Sequence, residues 1–246
     1  MSGDAAPDEA AAIAARYAAR DADVDARRYS LFDAAALQAH QERQRAMLDL
    51  WRQHGWHDLA GRDLLEVGCG AGGNLLDLLR LGAEPVRVAG IELLPERADA
   101  ARARLPAAVH IACADASRQG IAPASVDAVL AFTVFSSVLD DAARHALAAA
   151  VWQGVRCGGG VLVYDFAVDN PANPSVRALR HAQLLALFPQ AAAVRGRRLT
   201  LAPPVARRLA RLSPRLLAPL SGLLPPLHTH RLWWLTKSFE NQGTHL

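Results

Sequence analysis

The chain has 246 residues, of which 52% are hydrophobic, with a formal net charge of +3; this is enough apolar material for one domain with additions. No apolar run approaches the roughly 18 residues of a membrane span, and the acidic, alanine-rich start lacks the basic-then-apolar order of a secretory signal. Cys69, Cys113 and Cys157 stand apart with no C-x-x-C pair, which argues against a disulfide framework or a zinc site and fits a reducing, cytoplasmic setting. The charge is uneven: 16 Arg face 23 Asp or Glu through Asn170, whereas ten Arg and Lys237 face Glu240 alone beyond it. That asymmetry points to an anionic partner.

Residues 1–26 read as flexible or loosely helical, with no apolar stripe beyond Ile13, Tyr17 and Val24. Tyr29, Leu31 and Phe32 cluster ahead of a helix of about Ala34–His54, which sets Leu37, Met47, Leu48 and Trp51 apart from Gln41, Glu42, Arg43 and Arg45. Leu64, Leu65 and Val67 form an apolar run of the buried parallel-strand kind. Gly68, Gly70, Gly72 and Gly73 follow, where a chain must turn sharply and let backbone approach a ligand. Leu75, Leu76, Leu78 and Leu79 then resume at helical spacing, so the stretch builds a ligand site at a helix N-terminus. Gly68, Gly70 and Gly73 satisfy G-x-G-x-x-G, which dinucleotide-binding turns share. Glu66 tips the reading, because a carboxylate at that strand end repels a pyrophosphate and suits an ammonium group.

E-V-G-C-G-A-G-G (66–73) closely resembles the first motif of class I S-adenosylmethionine-dependent methyltransferases. The resemblance implies that Glu66 helps hold the methionyl end of S-adenosyl-L-methionine, and that Gly68, Cys69, Gly70 and Gly72 let the ligand lie close to backbone. Cys69 itself reads as a small packing residue. Val86–Glu92 is a second strand, ending 24 positions after Gly68 in a carboxylate placed for ribose hydroxyls; the family gives that role to Glu92, with Leu93 beside it. Pro95 opens a helix to about Arg104. Val109–Cys113 is a third strand, after which the resemblance assigns the adenine amino group to Asp115 and the ring to the backbone of Ala116. Ser125–Ala131 is the fourth strand, and Phe132 and Thr133 at its edge are implied to touch the cofactor. Ser136 and Ser137 either face substrate or cap a helix. Tyr29 and Phe32 are either lid residues of the family's N-terminal cap or ordinary docking residues.

A helix of about Asp140–Val155 is expected to end in the run Cys157–Gly160, followed by a fifth strand, Val161–Phe166, with Asp165 facing the crevice. Asn170 sits in a D-N-P-A-N-P loop of the kind from which substrate-binding groups project. Val176–Phe188 reads as a helix, Ala191–Leu201 as a strand, and His230–Phe239 as a final strand, antiparallel in the family. Between these strands lies Ala202–Leu227, rich in Pro, Arg and Leu. Val205, Leu209, Leu212 and Leu216 share one helical face there, opposite Arg207, Arg208, Arg211 and Arg215. A substrate lid, a packed helix with a solvated face, and a peripheral membrane helix are the three readings, membrane contact being the least favoured.

The expected fold is therefore α/β: a doubly wound, seven-stranded, mostly parallel Rossmann-like sheet with an antiparallel last strand. Residues 1–58 form a flexible and helical cap, and 59–246 the cofactor domain with its basic insertion 202–227. F-T-V-F-S-S-V-L-D-D and D-F-x-x-D-N-P-x-N-P resemble a bacterial branch of small-molecule and glycan-associated methyltransferases. The resemblance implies methyl transfer to a small-molecule or glycan acceptor, anionic in one reading, most simply at a hydroxyl oxygen. Specific nucleic acid is not expected, since F-T-V-F-S-S replaces the N/D-P-P-Y/F motif of amino-methylating nucleic-acid enzymes. A hydroxyl acceptor usually requires a base, for which His228, His230, His181 and Asp165 are candidates, Asp165 and His230 foremost, and no metal is assigned. Nitrogen methylation, an NAD-dependent oxidoreductase and a non-catalytic cofactor-binding protein are the alternatives; the oxidoreductase leaves Glu66 and Asp115 unexplained.

Overall fold

The computed structural model describes residues 9–23, 30–169 and 173–238. Its strands are β1 (Leu64–Val67), β2 (Val88–Glu92), β3 (His110–Cys113), β4 (Val126–Phe132), β5 (Val155–Phe166), β6 (Ala193–Leu201) and β7 (His228–Thr236). Its helices are α1 (Glu9–Asp23), α2 (Ala34–Gln53), α3 (Gly73–Arg80), α4 (Pro95–Arg104), α5 (Ala116–Gln119), α6 (Asp141–Gly154), α7 (His181–Leu187), α8 (Pro203–Leu212) and α9 (Leu217–Leu223). The strands form one sheet in the order β3-β2-β1-β4-β5-β7-β6. The first five are parallel, and β7 runs antiparallel between β5 and β6.

Strand β4 shows why its sequence is almost continuously apolar. Ala128, Leu130 and Phe132 enter one layer with Leu64, Leu162 and Trp234, where α2, α3 and α4 pack. Val129 and Ala131 enter the other with Leu65, Val67, Val161 and Trp233, under α6 and α7. Side chains alternate along a strand, so a sheet covered on both faces needs apolar residues at every position. Helix starts are fixed locally. Asp33 accepts from the Ala36 backbone N–H at 2.9 Å to open α2, and Asp140 accepts from that of Ala143 at 2.7 Å to open α6.

Three sequence expectations shift. Gly159 and Gly160 lie inside β5 instead of ending the helix before it. A Cβ on Gly160 would stand 2.5 Å from the Leu235 carbonyl oxygen and 2.6 Å from the Trp234 ring, so the glycine permits close strand approach. The helix expected from Val176 begins only at His181. Backbone N–H groups of Arg177, Ala178 and Leu179 are already donated to Ser136 O, Asp169 Oδ1 and Phe166 O at 2.8–2.9 Å, and this holds the segment in a loop. Finally, within the segment read as flexible or loosely helical, Glu9–Asp23 form the regular helix α1. A helix of this length is marginal by itself; here Glu9 accepts from the Leu139 backbone N–H at 2.8 Å, and Arg16 donates to Ser137 O at 3.0 Å.

The insertion forms α8 and α9, with Leu201, Ala206 and Leu217 buried at its base. Glu42 of α2 ties it down, accepting from the Thr200 N–H at 3.0 Å and from Ser221 Oγ at 2.9 Å. Among the described residues, no helix is long and apolar enough to cross a membrane.

Helix α2 is seated by tryptophans: Trp51 meets Trp234 edge-on with centroids 6.5 Å apart, and Trp56 meets Trp234 at 5.4 Å. Trp51 is almost fully buried, so Trp51→Ala is expected to cost about 3–5 kcal/mol in urea denaturation. A loss below about 1 kcal/mol, the scale of a surface change, would mean that α2 does not rest on the sheet in this way.

Candidate functional site

The order of strands reverses at β1, with β2 to one side and β4 to the other. Helix α3, after β1, packs in one layer and α6, after β4, in the opposite one, which opens a crevice at the carboxyl ends of these strands. A cavity of about 300 Å³ lies there. The turn after β1 contributes Gly68, Cys69, Gly70 and Asn74, the end of β2 contributes Glu92 and Leu93, and the turn after β3 contributes Asp115 and Ala116. Phe132 at the end of β4 and Thr133 just beyond it, Tyr164 of β5, Arg43 of α2, and Ile13 and Tyr17 of α1 complete the parts of the wall that bear on the chemistry.

The glycine turn is held open by its backbone. Gly68 and Gly70 have φ of 67° and 53°, a region costly to residues with a Cβ, and a Cβ on Gly68 would collide with Val134 at 2.8 Å. The Gly70 N–H donates to Glu92 Oε2 at 2.7 Å and the Leu94 N–H to Oε1 at 3.0 Å. Two backbone donors thus fix the Glu92 carboxylate at the cavity edge. Asp115 caps α5, accepting from the Ser117 N–H at 2.9 Å and the Ser117 hydroxyl at 2.6 Å, both on Oδ1. Thr133 is β-branched yet has φ of 56°, an uncommon strain at a cavity wall.

Glu66 stands behind the wall, fully buried. Asn74 Nδ2 donates to its Oε1 at 2.6 Å, while Oε2 has no hydrogen-bond partner among the described residues. Burial pushes its pKa up to about 8, with Asn74 and Arg43 pulling the other way. Arg43 Nη2 donates to Asn74 Oδ1 at 2.8 Å, and its guanidinium lies 5.2 Å from the ring centroids of both Phe132 and Tyr164. An acid, an amide and a cation therefore run in line from β1 through α3 to α2. Gly72 also lies outside the wall: it has φ of 77°, and a Cβ there would meet Leu105 at 2.7 Å.

Other sequence-derived candidates are placed elsewhere. Asp165 is fully buried and accepts from the N–H groups of Ser136 at 3.0 Å and Phe166 at 2.9 Å; burial raises its pKa to about 6. His230 stacks on Tyr164 with centroids 4.8 Å apart, and burial lowers its pKa to about 3, which keeps the imidazole neutral. Neither is part of the cavity wall. Ser136 is fully buried, whereas Ser137 lines the cavity and donates to the Thr133 carbonyl at 2.9 Å. Phe32 is fully exposed and away from the wall. Tyr29 and Asn170 lie outside the described residues. Arg43 and Tyr164 were not assigned to the site from sequence; one is a polar position on a helix and the other an interior strand position, and neither pattern signals a ligand. Asn74, one residue past the last glycine of the turn, could have been found by its position.

The buried acid makes a pH-dependent prediction. Its pKa rises on folding from 4.5 to about 8, so the contribution of Glu66 to stability is fully present below pH 4.5 and is lost as pH climbs through 8. Glu66→Gln removes this term. Thermal melting should show the variant gaining on the parent between pH 5 and 9, by up to about 4–5 kcal/mol at the alkaline end. Parallel pH profiles for the two proteins would refute a buried acid of raised pKa.

The match of residues 64–159 to the methyltransferase domain family covers the glycine turn, the acidic strand ends and β4. No curated protein sequence matches. Among solved structures, the fold is similar to the Burkholderia thailandensis 1,6-didemethyltoxoflavin-N1-methyltransferase, with TM-score 0.60 and 18% identity over 97% of this chain and 93% of that one. It is also similar to an S-adenosylmethionine-dependent methyltransferase from Mesorhizobium loti (TM-score 0.54, 16% identity, 76% and 96% covered). A third is Haemonchus contortus phosphoethanolamine N-methyltransferase 2 (TM-score 0.57, 14% identity, 78% and 52% covered). Because the matched segment builds most of the cavity, on a sheet of this strand order, the chain contains a methyltransferase domain over residues 64–159 and has the fold of S-adenosylmethionine-dependent methyltransferases.

Proposed function

We propose that this protein methylates a small molecule whose nucleophilic atom is already reactive on arrival. The observation that carries this reading is one small cavity flanked by two sets of groups: Arg43, Asn74 and Glu66 on one side, Glu92 and Asp115 on the other. Arg43 suits the carboxylate of an amino-acid head, and Asn74 backed by the half-satisfied Glu66 suits its ammonium. Glu92, fixed by two amides, takes ribose hydroxyls, and Asp115, whose Oδ1 is held by Ser117 and whose Oδ2 lies 3.5 Å from Arg118 Nε, takes the adenine amino group. The residues present thus fit S-adenosylmethionine, which supplies an electrophilic sulfonium methyl. What remains for the protein is alignment and exclusion of water, to which Ile13 and Tyr17 of α1 contribute by covering the cavity.

The acceptor is then met by the rings of Phe132 and Tyr164 and the hydroxyls of Thr133 and Ser137. A volume of about 300 Å³, at the small end for ligand sites, has to take the cofactor as well as the acceptor, which supports a small molecule over an extended glycan. Asp165 and His230 do not reach the cavity, and burial raises the Tyr164 hydroxyl pKa to about 12. An acidic hydroxyl, enolic or phenolic, ionises without help and keeps the oxygen reading. A ring nitrogen with a free lone pair is the second reading, favoured by the same placement of the two expected bases.

Two measurements test this. Arg43→Gln should weaken S-adenosylmethionine by about 1.5–3 kcal/mol in calorimetry, the range for a charged hydrogen bond, and leave adenosine affinity unchanged because adenosine lacks the amino-acid head. Equal loss for both ligands would remove Arg43 from that role. Incubating the protein and deuteromethyl-labelled cofactor with a metabolite extract should put label into a small product with an acidic hydroxyl or a ring nitrogen. Label confined to the macromolecular fraction would overturn the small-molecule reading.

A further inference from the structure

We propose that the insertion carrying α8 and α9 is a docking surface for an anionic lipid membrane, on which the folded protein lies without crossing. The local charge is one-sided: residues 171–239 contain ten Arg and one Lys and no carboxylate. Four of those arginines, Arg207, Arg208, Arg211 and Arg215, are exposed on α8 and the 3₁₀ turn that follows it. Beside them the structure leaves large apolar side chains in solvent. Leu212 is 79% exposed, Leu223 74%, Leu216 45% and Leu227 41%. Leu212 and Leu216 share the apolar face read from the sequence with Val205 and Leu209, yet the inner face is completed by Leu201, Ala206 and Leu217, with only Val205 and Leu209 of that face partly buried against them. The exposed leucines are therefore surplus to the protein's own core.

Cationic side chains on a short amphipathic helix, with exposed leucines at its end and on the short helices and turns that follow, are the features that hold a protein in the headgroup region of an anionic bilayer. A second copy of this chain is disfavoured, because a two-fold contact would bring the same arginines face to face. Nucleic acid would use the arginines but gain nothing from the leucines, and residues 202–227 contain no aromatic side chain on which bases could stack. The surface is also rigidly tied to the catalytic core. Glu42 bonds Ser221 and Thr200, and its neighbour Arg43 lines the cavity. This inference does not depend on which acceptor is methylated.

The test is vesicle flotation of the full chain with phosphatidylcholine vesicles and with phosphatidylcholine–phosphatidylglycerol vesicles at low salt. Wild type should float with the anionic vesicles only. Arg207, Arg208, Arg211 and Arg215 changed together to Gln should reduce partitioning by at least about 100-fold, at roughly 1 kcal/mol for each basic residue near the surface. Leu212→Ser with Leu223→Ser should also release the protein, while melting stays unchanged because both sites are exposed. Wild type that ignores anionic vesicles overturns the proposal. So does a leucine variant that still floats like wild type, since that would mark charge attraction alone. Retention of a single-stranded polynucleotide that the arginine variant loses and the leucine variant keeps would assign the face to nucleic acid, and a doubled mass in light scattering abolished by the leucine changes would assign it to a second copy.

Discussion

The arrangement around the cavity depends on the cost of burying a carboxyl group. Glu66 is placed at the end of a central strand, where no water reaches it, and Asn74 satisfies only one of its oxygens. A charge held there is expensive, so the group is partly neutral and its neighbours are constrained. Asn74 must present its amide to Glu66, which turns its carbonyl toward Arg43. Arg43 in turn is held over Phe132 and Tyr164, and its own helix must be seated on the sheet for that reach. One buried acid thereby links β1, α3, α2, β4 and β5 beside the cavity.

The same economy of buried polar groups explains why plausible catalytic residues serve the scaffold. Asp165 ends β5 as expected, but its oxygens are taken by the Ser136 and Phe166 amides, which pin the loop after β4. His230 is neutral and stacked on Tyr164, and the Tyr164 hydroxyl pairs with Thr200 at 2.7 Å. Thr200 itself has φ of 68°, a strained conformation kept by bonds to Tyr164 and Glu42. Buried donors and acceptors require partners, and here they find one another between β5, β6, β7 and α2. That network joins the insertion to the cavity wall through rigid elements, so a membrane-docked insertion and an active site would move as one body.

Most of the fold was legible in the chain. The apolar runs of β1, β4 and β5, the glycine turn and the acidic ends of β1 and β2 are local patterns with local causes: alternation, positive φ and the crevice at strand ends. These patterns together with the family resemblance they carry named Gly68, Cys69, Gly70, Glu92, Leu93, Asp115, Ala116, Phe132 and Thr133, and all of them line the cavity. Each ends a strand or follows one within a few residues, so its position is set as soon as the strand is. The tertiary structure decided what spacing cannot carry. Arg43 reaches the cavity because a helix far away in sequence docks through Trp51 onto Trp234, and α1 becomes a cover only by bonding to residues 137 and 139. Glu66 stands behind Asn74, and Ser137 rather than Ser136 lines the cavity, because the side of a turn that meets solvent depends on packing from the opposite layer. The leucines of the insertion follow the same logic: helical periodicity showed that a face exists, but only the filled core beneath α8 showed which leucines were left outside it.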